Sequence, residues 1–90
     1  MRVCGRHVSL PKAGESANGD AAFLRADDGD CALFGVIDGL GHGPGAQEVS
    51  AAAIRYLGSV ALESSLASIM DRLHAELSGS RGAAATVCLL

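Results

Sequence analysis

Phe34-Gly35-Val36-Ile37-Asp38-Gly39-Leu40-Gly41-His42-Gly43-Pro44-Gly45-Ala46 leads an apolar run into one aspartate, a crowd of glycines and the start of an alanine-rich pattern. Gly39, Gly41, Gly43 and Gly45 let the backbone take positive φ and approach a ligand or metal closely. A carboxylate that ends a buried strand and faces such a loop is badly placed for packing. It is well placed to bind something charged.

The segments on either side read as alternating strand and helix. Upstream, Cys31 to Ile37 is nearly continuous in apolar residues, as expected of a central strand buried on both faces. Asp27-Asp28-Gly29-Asp30 is a turn signal joining it to an antiparallel partner, Asp20 to Ala26, anchored by Phe23. Pro11 to Asn18 is turn-rich, and residues 2–10 alternate loosely enough to suggest a first strand. Downstream, Pro44 suits a first helical turn, where its missing N–H would be unpaired anyway. Ala46, Val49, Ala53, Tyr56, Leu57 and Val60 then fall at helical steps, with Gly58 weakening the end. A second helix starts at Ser64 or Ser65 as cap and buries Leu66, Ile69, Met70, Leu73 and Leu77, with Asp71, Arg72 and Glu76 outside. Ser78-Gly79-Ser80 ends it, and Ala83 to Leu90 reads as a further buried strand.

This order describes an α+β chain: a mostly antiparallel sheet, two antiparallel helices, then another strand. An apolar strand as the last element asks for neighbours on both sides. The expectation is therefore that residues 1–90 form a partial domain lacking its C-terminal half. Ninety residues bury only about 60–65% of their unfolded surface, a modest core. The net charge of −3 argues against nucleic acid as a partner, since phosphate neutralisation needs a basic face. No apolar run approaches the ~20 residues of a membrane helix, and no signal peptide opens the chain, so a cytoplasmic setting is expected. Cys4, Cys31 and Cys88 form neither a disulfide framework nor a zinc motif.

Gly41-His42-Gly43-Pro44-Gly45-Ala46 formally fits the dinucleotide fingerprint. The acidic residue expected about 20 positions on, near Glu63, falls in a helical region, and Asp38 would repel a pyrophosphate. A metal site fits better. Asp20 opens one strand of the hairpin and Asp38 closes the other, so antiparallel pairing brings both to one end of the sheet. Two neighbouring carboxylates repel unless a cation sits between them. With the Gly39 carbonyl they make an all-oxygen set that selects Mg²⁺ or Mn²⁺ over zinc.

Gly14-Glu15-Ser16-Ala17-Asn18-Gly19-Asp20, Phe34 to Gly43, and Arg81-Gly82-Ala83 together resemble the bacterial PPM-type (type 2C) serine/threonine phosphatases. The SpoIIE-like branch is nearest, especially the small RsbX-type phosphatases of the sigma-B stress pathway, and the resemblance covers residues 14–90. It implies an αββα four-layer sandwich, of which this chain is the first half, with a dinuclear Mn²⁺ or Mg²⁺ centre. By resemblance Asp20 is the first metal-binding aspartate, Asp38 the bridging and catalytic one, and Gly39 the carbonyl ligand. The implied activity is hydrolysis of phosphoserine or phosphothreonine on a regulatory protein of a stress-response, partner-switching pathway. Two further metal-binding aspartates of the family belong to the second half, and Asp71 does not replace them. The position of the eukaryotic general-acid histidine is Leu40 here. A non-catalytic binding or regulatory domain is the alternative.

Other residues carry weaker signals. His42 and Arg81 are candidates for contact with phosphate or its neighbouring water. Glu15 reads as a turn residue, with a place beside the metal as the alternative. His7 and His74 read as surface positions, and the acidic turn at 27–30 lacks the frame of a calcium loop.

Overall fold

Strand segments joined by a turn can satisfy their backbone groups on one another. The computed structural model, which describes residues 5–11, 13–14, 16–26, 31–62 and 64–90, shows that pairing. β1 (Asp20–Ala26) and β2 (Ala32–Gly39) are antiparallel, in register from Asp20↔Asp38 to Ala26↔Ala32. The turn expected at 27–30 lies outside the described residues. On its other side β2 pairs antiparallel with β3 (Ala83–Leu89), so the sheet order is β1-β2-β3. A Cβ on Gly35 would stand 2.1 Å from the Thr86 carbonyl oxygen. Glycine is what lets the two strands close up there.

The connection from β2 to β3 carries both helices. α1 (Gly43–Ser59) begins with Pro44 in its first turn and ends one residue beyond Gly58. No basic residue of its own last turn meets its final carbonyls. Arg25 of β1 does so instead, donating from Nη1 to Leu57 O (2.8 Å) and Val60 O (2.7 Å). α2 (Leu66–Glu76) is capped by Ser65, whose Oγ accepts the Ser68 N–H at 3.1 Å. Gly79, at φ +84°, turns the chain toward β3.

The helices cover one face of the sheet. Ala46, Val49, Ala53 and Leu57 of α1 and Ile69 and Leu73 of α2 are buried with Leu33 and Ile37 of β2. Phe23, Ala85, Val87 and Leu89 pack around them. No helix among the described residues is long and apolar enough to cross a membrane.

Three expectations need correction. β2 is central but is buried on one face only: Ile37 is 1% exposed and its neighbour Val36 57%. Successive side chains of a strand point to opposite faces, and both helices lie on the Ile37 side. β3 is an edge strand of partial burial, because its one neighbour among the described residues is β2. The first strand expected over 2–10 is absent from 5–10, and residues 2–4 lie outside the described set. An extended segment without a ladder partner is not a strand. Val8 and Leu10 are accordingly 84% and 77% exposed.

Candidate metal centre

The hairpin register makes Asp20 and Asp38 direct Cα partners. Ile37 points into the core, so Asp38 points to the uncovered face, and Asp20 opposite it points the same way. The pair affects its own protonation. A hydrogen bond with Asp38, then desolvation, then the charge of Asp38 hold the Asp20 carboxyl above its ordinary value.

Close packing of α1 against the strand ends fixes this pair in place. Gly39 N–H donates to Gly19 O at 2.8 Å, joining the residue after Asp38 to the residue before Asp20. The same Gly19 oxygen accepts from Ser50 Oγ of α1. A Cβ on Gly39 would lie 2.3 Å from Ala46 O and 2.9 Å from Ser50 Oγ, and one on Gly19 would lie 2.8 Å from Ala46 Cβ. Both positions are glycine because the helix passes directly over them. Asn18 completes the support: its Oδ1 accepts the Asp20 N–H (3.0 Å) and its own N–H donates to Gln47 Oε1 (3.1 Å).

The sequence assigned no supporting role to Asn18, Gln47 or Ser50. Ser50 left a signal, since it sits four residues after Ala46 and three before Ala53, on the stripe that becomes the buried face. A polar residue there, 1% exposed, needs a partner, and Gly19 provides it.

The loop from Gly39 to α1 turns through Gly41 (φ +86°) and Gly43 (φ +78°). His42 between them is exposed at the N-cap position, with no side-chain capping bond to α1. Arg81 reaches the loop from the start of β3, its Nη1 donating to Leu40 O at 3.2 Å. Glu15 lies outside the described residues, Asp71 is exposed on α2, and His7 and His74 are exposed.

Two facing carboxylates, one inclined to keep its proton, suit part of a hard-cation shell. Among the described residues no group of three or more His, Cys, Asp or Glu side chains gathers to hold a metal ion. The dinucleotide fit of Gly41 to Ala46 is spacing alone. β2 and β3 are antiparallel, so the parallel βαβ unit that such a fingerprint requires is not formed.

No family model matches the chain. It is 38% identical over 78 residues to the phosphoserine phosphatase RsbX of Bacillus subtilis (strain 168), across 87% of this chain and 38% of that protein. Its fold matches a chain solved in connection with the bacterial stressosome, a modular system adapted to control secondary messenger signaling. The TM-score there is 0.81 at 36% identity, over 90% of this chain and 41% of the other. A crystal structure of RsbX in complex with magnesium matches at TM-score 0.80 and 34% identity, over 90% of this chain and 40% of that one. The resemblance to RsbX-type phosphatases thus holds in both sequence and fold, and the chain spans about two fifths of each relative's length.

Proposed function

We propose that this chain supplies the Asp20–Asp38 part of the metal centre of a PPM-type, SpoIIE-like protein phosphatase. Its substrate would be phosphoserine or phosphothreonine on a cytoplasmic regulatory protein of a bacterial stress-response, partner-switching pathway. One observation carries the reading: two carboxylates in register at the end of a hairpin, each followed or preceded by a glycine under α1. The likeness to RsbX, a phosphoserine phosphatase solved with magnesium, and to a stressosome-related chain supports it.

Asp38 would bridge two divalent cations, Mg²⁺ or Mn²⁺, with Asp20 and the Gly39 carbonyl on one of them. Such ions supply a water acidic enough to give hydroxide near neutral pH, and charge to neutralise phosphoryl oxygens. The chain's own residues prepare that place. The Gly39–Gly19 bond and the Ser50 contact hold the two strand ends at fixed separation. Both carboxylates are exposed at the end of the hairpin, where a cation can reach them. His42 stands on the adjoining loop and Arg81 reaches it from just before β3, as candidates to meet the phosphate.

A second reading is a non-catalytic binding or regulatory domain. The two carboxylates of this chain could hold a cation or a partner's basic group without turnover. Hydrolysis of p-nitrophenyl phosphate with Mn²⁺ separates the two. Metal-dependent turnover that disappears in Asp38→Ala supports the phosphatase. Metal binding without turnover supports the second reading, and turnover undiminished in Asp38→Ala overturns the role of Asp38.

A further inference from the structure

Leu40, the residue after the Asp38-Gly39 pair, is gripped at both backbone groups by the two consecutive residues that precede β3. Its N–H donates to Gly82 O at 2.9 Å, and its carbonyl accepts from Arg81 Nη1 at 3.2 Å. The guanidinium occupies a notch that Gly41 and Gly45 leave open. A Cβ on Gly41 would be 2.6 Å from Nη1. One on Gly45 would be 2.3 Å from Nη2, 2.6 Å from Cζ and 3.1 Å from Nε.

Gly45 is the informative one. It lies inside α1 and is not among the positive-φ glycines, so backbone conformation does not demand glycine there. Gly43 and Gly58, by contrast, would meet nothing within 4 Å. The space at Gly45 is occupied by the arginine. A helix that accepts glycine in its first turns, where alanine is the better former, does so here to seat a side chain from 36 positions later.

We infer that Arg81 is a positioning residue: seated in the Gly41–Gly45 notch, it clamps Leu40 and thereby fixes the Asp38-Gly39 turn against β3. This role differs from direct contact with phosphate. It rests on the phosphatase reading only for what the turn is positioned to hold.

The test is a double-variant cycle on the whole chain. G45A is less favourable for Tm in the Arg81 background than in R81A, because the guanidinium must leave the notch. In the R81A background the same substitution raises Tm, since only the helix preference of alanine remains. Equal effects of G45A in both backgrounds overturn the lock. Exchange of the Leu40 amide hydrogen, which is bonded to Gly82 O, rises several-fold in R81A, because the residue loses the Arg81 bond that holds its carbonyl. In the R81A/G45A double variant, whose Tm recovers, Mn²⁺ affinity stays at least about fivefold below the original, which separates positioning from stability. Unchanged affinity there overturns the positioning role. If the original chain binds no Mn²⁺, the metal reading fails separately, and Leu40 exchange in the double variant decides: still fast supports the clamp, restored protection overturns it.

Discussion

Asp20 and Asp38 are paired residues of an antiparallel hairpin, and a single backbone bond from Gly39 to Gly19 ties the residues beside them together. Like charges directly opposite one another destabilise a strand pair. This hairpin keeps them at its end, beneath no helix and on the face that the core does not use. The fold accepts this cross-strand repulsion at the pair proposed above to hold a cation.

The pair makes metal-free stability depend on pH in a known sense. The folded pKa of Asp20 is raised, through its hydrogen bond with Asp38, desolvation, and the Asp38 charge. Its stabilising contribution is therefore complete below the unfolded value of about 3.9 and lost as pH rises through the raised folded value. Calorimetry of the metal-free chain will show Tm falling slightly across that window, the effect being small because the group is exposed. Asp20→Asn removes the slope, and excess Mg²⁺ restores Tm at the upper end.

Two glycines should respond oppositely to the same substitution. Gly39→Ala pushes a methyl against Ala46 O and Ser50 Oγ, and is expected to cost about 2–3 kcal/mol in urea melts. Gly58→Ala meets nothing within 4 Å inside α1 and should stabilise by about 0.5–1 kcal/mol.

The sidedness of β2 is testable on adjacent residues. Ile37→Ala empties a position 1% exposed under α1 and should cost about 2–5 kcal/mol. Val36→Thr, at 57% exposure on the open face, should stay within about 0.5 kcal/mol. Equal losses in denaturant melts would mean that the second face is covered as well.

Arg25→Met keeps the apolar stem but removes both bonds to the end of α1. A loss of about 1.5–3 kcal/mol is expected, together with faster amide exchange in the last turn of that helix. Arg25→Lys should recover part of it, since one ammonium reaches one carbonyl more readily than two.

Much of this arrangement is written in local pattern. The helical stripe through Ala46, Val49, Ala53 and Leu57, the Ser65 cap and the Pro44 start each depend on residues within a turn or two of one another, so spacing alone reveals them. The juxtaposition of Asp20 with Asp38 was equally legible, because a short hairpin leaves little freedom in which ends meet. Residues 5–10 show the converse. Val8 and Leu10 have strand-like spacing, but a strand needs a partner, and partnership is not a local property.

The sequence by itself determined which segments are strands and helices from residue 20 onward, and which two carboxylates share an end of the sheet. Tertiary structure alone decided that β2 is buried on one face, that Ser50 supports Gly19, and that Arg81 fills the space left by Gly41 and Gly45. Those facts depend on contacts between residues some thirty to forty positions apart. Hydrophobic spacing records that a side chain will be buried, but not which neighbour buries it. A glycine in a sequence records that something comes close without saying what.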